Sequence, residues 1–344
     1  MDADTILRIR PALTEYLRGF DPCMGRVPNR SHLDTYISGQ LSHLQRKSVE
    51  PMADAAGVPP RTLQEFLSLL KWDDLGVIDH LQRQVARRHP DPHSIGIIDE
   101  TSFKKRGQKT ACVQRQHCGS LGKVENCVVT VQLGYAAGDF HTLLDGVPYL
   151  PEESWDDPYR RRAAGIPDEI VYRPKWFIAQ EMIEHAQTNG IRFGWLTFDE
   201  GYGGKPPFLR ALETMGQNYV GEIPASTVGW SRPPEMHCQG HPRDKRQGLS
   251  SRRARLKVRN TPAVEVRNIL TYSPVLRKVP WERFRVKDGE KGPMVWEARR
   301  IEFWVKDERR TISSSAQRFS LLVGRVSRMR TTSPRRAELC SSCA

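Results

Sequence analysis

A chain of 344 residues, 38% hydrophobic with a mean hydropathy of −0.57, can bury a large core and hold more than one structural unit. No stretch approaches the roughly 18 apolar residues of a membrane span. The acidic start Met1-Asp-Ala-Asp lacks the basic head of a secretory signal, so membrane and secreted classes are set aside and the cytoplasm is expected. A net charge of +13 and a pI near 9.6 favour a polyanionic partner, because Lys and Arg that neutralise phosphates release counterions; a basic surface kept for solubility would carry the same charge.

Residues 1–92 read as a helical domain. Thr5 to Phe20 carries apolar residues near helical spacing, and Asp21-Pro22 breaks it. Asn29 onward begins another helix, with Ser31 as the expected cap. Val49 to Leu70 reads as helix, turn at Gly57, and a second helix from Thr62. That is either a DNA-reading helix-turn-helix, with Arg61, Gln64 and Ser68 on the second helix, or an ordinary helical hairpin. Trp72 to Arg88 is a further amphipathic helix, and His89-Pro-Asp-Pro92 closes the domain.

Residues 93–224 alternate strands and helices as a mixed α/β sheet requires. Ser94-Ile-Gly-Ile-Ile-Asp-Glu reads as a short strand, Ile95 to Ile98, ending on Asp99 and Glu100 and running into the basic turn Lys104-Lys-Arg-Gly107. The pattern returns in Phe193-Gly-Trp-Leu-Thr-Phe-Asp-Glu-Gly-Tyr-Gly-Gly204, which ends on Asp199 and Glu200. Ionised carboxylates at the end of an apolar strand need water, a partner or a metal. Capping of the following turn is the plain alternative. Two such strands side by side would offer oxygen ligands to a hard cation, which takes one or two carboxylates plus phosphate oxygens. Between them lie a basic loop, strands Asn126 to Tyr135 and Gly138 to Asp145, and a helix Lys175 to Gly190 with Phe177, Met182, Ile183 and Ala186 facing in. A helix from Pro207 and a strand Tyr219 to Ile223 complete the unit.

Residues 225–308 read as a basic loop followed by a strand-rich insertion: Val264 to Arg267, Trp281 to Val286 and Val295 to Lys306. The charge run Arg243 to Lys257 is either a phosphate-binding arm, through Arg252 and Arg253, or a solvated loop. Seven scattered cysteines imply reduced thiols. His237-Cys238-Gln-Gly-His241 matches no closed zinc module and is read as a loop, and Cys340-Ser-Ser-Cys343 as chance.

Six segments in order resemble the DDE-superfamily transposases of bacterial insertion sequences, close to the insertion sequence 701 family. They are Ile98-Asp-Glu-Thr-Ser-Phe-Lys-Lys-Arg-Gly107, Val113-Gln-Arg-Gln116, Gly122-Lys-Val-Glu-Asn126, Tyr149-Leu-Pro151 with Trp155, Ala164-Gly-Ile-Pro167, and Asp199-Glu-Gly-Tyr-Gly203. The resemblance implies an α/β, ribonuclease-H-like mixed sheet with an N-terminal helical domain and a strand-rich insertion. It also implies Asp99 and Asp199 as catalytic, metal-holding acids; Glu100 and Glu200 beside them are the candidate accessory acids of an alternative in which another acid serves the site. Mg²⁺ or Mn²⁺ would be the cofactor, two ions in an intact site. The implied chemistry is phosphodiester hydrolysis at element ends followed by strand transfer, carried mainly by positioning and charge. The implied partner is double-stranded DNA, both element ends and target, bound by a homodimer, with nucleoid association and no membrane. Lys104, Lys105, Arg106, Arg115 and Lys123 then become phosphate contacts, or else solvated loop charge.

The resemblance also implies a third acid, a Glu on a helix after the insertion, and none is found. Residues 309–344 hold eight Arg, no Lys, eight Ser and one acid, Glu338, without a sustained period. Such an Arg/Ser-rich segment reads as an irregular tail, translated out of frame or natively disordered. Glu297, Glu302 and Glu308 lie on or beside strands expected far from the metals, and a sheet edge is expected to be left open. The expectation is therefore a transposase impaired by loss of the third acid; the alternative is a non-catalytic DNA-binding remnant or regulator.

Overall fold

The computed structural model describes residues 3–239, 253–258, 261–289, 292–306, 318–326 and 336–340. The chain divides into two compact units, Met1–His89 with Ala186–Ile191, and Pro90–His185 with Arg192–Ala344.

The first unit is helical: α1 (Ala3–Arg18), α2 (Asp21–Met24), α3 (Val27–Leu41), α4 (Val49–Ala55), α5 (Pro60–Ser68) and α6 (Asp74–Arg88). Proline lies in the first turn of α2, α3 and α5, where its fixed φ and missing N–H are suited. Pro28 opens α3, so Ser31 lies inside the helix and does not cap it. Pro60 opens α5 two residues before the expected start. Asp73 caps α6, accepting the Gly76 N–H at 2.8 Å. Gly57, with φ of +67°, makes the turn between α4 and α5, a conformation that costs other residues more. Met24, Met52, Leu63 and Phe66 are buried, and Trp72 stacks on Phe66 at 6.1 Å. Arg10 ties α1 to α3 through Asp34 and Ser38, each at 2.6 Å.

The second unit begins with β1 (Ile95–Lys104), β2 (Gln114–Cys118), β3 (Lys123–Ala137) and β4 (Phe140–Pro148). Then come α7 (Pro158–Ala163), α8 (Lys175–Thr188), β5 (Trp195–Phe198), α9 (Glu200–Gly203), α10 (Pro206–Thr214) and β6 (Tyr219–Glu222). They are followed by β7 (Val228–Trp230), β8 (Met236–Gln239), β9 (Arg253–Leu256), β10 (Val264–Glu265), α11 (Val266–Tyr272), α12 (Pro274–Lys278), β11 (Glu282–Gly289), β12 (Gly292–Val305), β13 (Arg318–Val326) and β14 (Arg336–Cys340).

Among the described residues one mixed sheet takes the path β10-β7-β12-β13-β14-β6-β5-β1-β3-β2, with β4 also on β3 and β11 also on β12. The run β6-β5-β1 is parallel, and β3 joins β1 antiparallel. This is the α/β, ribonuclease-H-like mixed sheet, accompanied by an N-terminal helical unit and a strand-rich insertion. Its core gathers Ile98, Leu196, Phe198, Phe208 and Tyr219, all buried. The Phe198 ring meets Phe208 edge-on at 5.2 Å and Tyr219 at 5.6 Å. A Cβ at Gly221 would stand inside the Phe198 ring, so that glycine makes room for the packing. A second cluster surrounds Trp155, whose indole N–H donates to the Val113 carbonyl at 3.0 Å among Val128, Leu150 and Ile166.

Several expectations change. The first acidic strand does not end on its carboxylates: β1 continues to Lys104, because β3 pairs with it as far as Lys104↔Cys127. Phe177 is only half-buried, its inward place taken by Ile178 and Ala179. Val266 starts a helix where a strand was expected. His237 and Cys238 lie on β8, paired with β9, and His241 lies outside the described residues. The segment expected to be irregular contains β13 and β14. A sheet edge was expected to stand open; among the described residues β14 pairs along β6 through Glu338↔Glu222, Leu339↔Gly221 and Cys340↔Val220. Antiparallel pairing needs only backbone groups in register, so a segment with no side-chain period can still supply a strand.

Candidate active site

Strand register builds the site. β1 and β5 run parallel with Ile95↔Trp195 through Ile98↔Phe198, so the next step brings Asp99 and Asp199 to neighbouring positions. Adjacent strands lie about 4.8 Å apart. β5 and β6 pair through Phe198↔Gly221, so the same step reaches Glu222 on the next strand. Asp99, Asp199 and Glu222 thus stand at one level across three strands, where parallel pairing stops. The alternation of β1 keeps Ile98 buried and turns Asp99 to the exposed face; Phe198 is likewise buried and Asp199 exposed. A strand buried on one face carries its acids out on the other because side chains alternate.

Each aspartate is steadied by local backbone. Asp99 Oδ1 accepts the Glu100 N–H at 2.7 Å, and Asp199 Oδ1 accepts the Gly201 N–H at 2.9 Å, capping α9. Among the described residues neither is ion-paired with a Lys or Arg. Their neighbours differ from one another. Glu100 is half-buried and receives Lys175 Nζ at 2.5 Å, while the same ammonium lies 5.1 Å above the Tyr149 ring. Glu200 is exposed in the first turn of α9.

α9 is held close to β6 by Gly203, since a Cβ there would sit on the Glu222 carbonyl oxygen. This packing buries Tyr202, which is 2% exposed. Its hydroxyl is buried without a hydrogen-bond partner. Burial pushes the phenol pKa far above its ordinary value, and the negative charges of Glu100, Asp199 and Asp99 push the same way. Tyr149 is pushed up to about 12, first by burial and then by Tyr172. An open cleft of about 450 Å³ runs alongside, lined by Glu100, Tyr172, Lys175, Trp176, Tyr202 and Lys205 among others.

The basic residues fall elsewhere on the sheet. Lys104 ends β1, five residues beyond Asp99 and so about 17 Å along the strand. Its Nζ lies 3.8 Å from Glu125. The Asn126 N–H, then Lys104, Lys123 and Arg115, hold the Glu125 pKa below its ordinary value, so those three cations share one edge. Lys105 and Arg106 are exposed just past β1. Arg252 lies outside the described residues, as does the side chain of Arg253 at the start of β9. Glu297 is buried on β12 and takes Arg283 Nε at 2.9 Å, with β13, β14 and β6 between it and β5. Glu302 is also on β12, and Glu308 lies outside the described residues.

Strand register sets Asp99 and Asp199 on neighbouring strands with Glu222 at the same level on β6, while Glu100 follows Asp99 on β1 and pairs with Lys175 near Tyr202. A signal for Glu222 was present: Tyr219-Val-Gly-Glu222 is a third apolar run closed by an acid. Nothing in spacing marks Lys175 as the partner of Glu100, 75 residues away. Among the described residues no three His, Cys, Asp or Glu side chains gather into a metal-binding cluster. Two exposed carboxylates on adjacent strands still suit a hard cation that completes its shell with water and phosphate oxygens.

A family profile of DDE superfamily endonucleases matches residues 19–293. The chain is also 35% identical over 193 residues to a probable transposase for insertion sequence element IS701 from Microchaete diplosiphon, covering 53% of this chain and 46% of that relative. It spans about half the length of that curated relative. With a profile match across most of its length, around a sheet that sets two aspartates side by side, the chain belongs to the DDE superfamily endonucleases.

Proposed function

We propose that this protein acts in DNA transposition of an insertion sequence, by metal-dependent hydrolysis of phosphodiesters at the element ends and strand transfer to a target. The observation that carries the reading is the juxtaposition of Asp99 and Asp199 on adjacent parallel strands. Asp99 and Asp199 would hold Mg²⁺ or Mn²⁺, two ions in an intact site, with Glu100 and Glu200 as accessory acids. The fit is chemical: both are exposed, acceptor-only groups that spend one oxygen on a backbone amide. When bound, such ions neutralise charge on the phosphodiester oxygens and acidify bound water. The chain's own residues position and neutralise. Strand pairing fixes the two acids, and Lys175 neutralises Glu100 beside them. Lys104, Lys105, Arg106, Arg115, Lys123, Arg252 and Arg253 are assigned to DNA phosphates.

In this reading residues 1–92 carry the α4–Gly57–α5 helix-turn-helix, 93–224 the catalytic core, 225–308 the insertion and 309–344 an accessory tail, with a homodimer on double-stranded DNA. In this reading catalysis is impaired, since Glu297 on β12 is engaged by Arg283 and separated from β5 by β13, β14 and β6. A second reading is a DNA-binding protein that occupies element ends without cutting them.

Cleavage of a duplex carrying the element ends, measured with Mn²⁺ for the full chain and for Asp99→Asn, separates the two. Slow cleavage abolished in the variant, with DNA affinity retained, supports the transposase. DNA affinity without cleavage in either protein supports the binding reading. A chain that binds neither duplex nor Mn²⁺ overturns both.

A further inference from the structure

Lys175 stands where its own helix does not favour it. It is the first residue of α8, and an ammonium at a helix N-terminus meets the positive end of the helix dipole. What holds it there lies on other elements. Its Nζ is 2.5 Å from Glu100 Oε2 on β1 and 5.1 Å above the ring of Tyr149, the residue after β4. The two side chains of the ion pair are 30% and 32% exposed, so water screens the pair only in part. Glu100 is also near enough to the aspartates for its charge to count. Burial raises the Tyr202 phenol pKa first, and Glu100, then Asp199 and Asp99, raise it further, so the three carboxylates lie within electrostatic reach of one buried side chain. Neighbours on a strand point to opposite faces, so Glu100 acts on Asp99 through its charge and not as a shared ligand. Unpaired, Glu100 would add a further negative charge beside the aspartates; paired with Lys175, it adds none.

We propose that Lys175 sets the cation affinity of this edge: by holding Glu100 in an ion pair, it withholds one carboxylate charge from the site formed by Asp99 and Asp199. A site of lower negative charge binds a cation less tightly and leaves more of the cation's charge to act on a phosphodiester. Lys175 is a positioning residue, acting through Glu100. The inference rests on the reading of Asp99 and Asp199 as cation ligands, and its test compares variants with the unaltered chain so that the two can fail separately.

The full chain, without DNA, is titrated with Mn²⁺ and the free ion is read by electron paramagnetic resonance. Removing only the ammonium, in Lys175→Met, should tighten Mn²⁺ binding by about three- to fivefold, and removing only the carboxylate, in Glu100→Gln, should weaken it by about as much, as one unit charge in a partly screened site would do. The double variant and Lys175→Arg both leave the local charge as it was and should bind as the unaltered chain does. An ion pair that merely braces the fold would weaken binding in both single variants, and that result overturns the inference. Equal affinities in every protein overturn it too and leave the metal-site reading standing. Circular dichroism checks that each variant folds, with Lys175→Gln taking the place of Lys175→Met should the latter not fold. No Mn²⁺ uptake by the unaltered chain overturns the metal-site reading and the inference with it.

Discussion

Asp99 and Asp199 are poor as isolated acids and useful only as neighbours. Carboxylates brought to adjacent strands repel unless a cation lies between them. Replacing either with Asn should lower Mn²⁺ affinity at least tenfold, read by calorimetric titration. Glu222→Gln should cost less than threefold, since Glu222 stands on β6, a strand further from Asp99 than Asp199 is. Asp145 offers a contrasting test. It is buried, and burial raises its pKa although the Gly146 N–H and His185 pull it down. The folded state therefore holds this proton at a pH where the unfolded chain has released it. Stability contributed by the protonated form is full below the ordinary carboxylate pKa and is lost as pH rises through the raised folded value. Asp145→Asn should flatten that decline in a Tm-against-pH series; an unchanged slope would show that another group sets it.

Short elements set the geometry of the site, and glycine permits their approach. α9 is only four residues long, too short to be stable alone, so its place depends on contact with β6. Gly203→Ala would drive a Cβ onto the Glu222 backbone, which cannot rotate away as a side chain could. The expected cost is about 1–3 kcal/mol in urea unfolding. Metal affinity should fall with it, because Asp199 caps α9. Phe198→Ala should cost about 3–5 kcal/mol, as a buried ring between Phe208 and Tyr219 leaves a cavity the sheet cannot close.

At the scale of the whole molecule the net charge of +13 becomes a measurable property. If Lys104, Arg115 and Lys123 meet DNA phosphates, replacing all three with Ala should reduce the slope of log K against log salt by about 2–3. A slope that does not change would assign them to solvent and to Glu125. Most element types were legible in the chain because period and punctuation are local properties: the 3.6-residue stripes of α1 and α6, the Gly57 turn, and the apolar runs of β1 and β5. Boundaries failed where a proline or a partner strand intervened, as at Ser31 and at the far end of β1. Asp99 and Asp199 could be singled out from sequence because each closes an apolar run, a pattern that needs no knowledge of the partner strand. Their adjacency is a matter of register between strands 100 residues apart, which no local pattern encodes. The pairing of Glu100 with Lys175, the orphaned hydroxyl of Tyr202 and the place of β14 against β6 were likewise decided only by the tertiary structure. Each depends on burial and on hydrogen-bond geometry between segments that the chain brings together only when it folds.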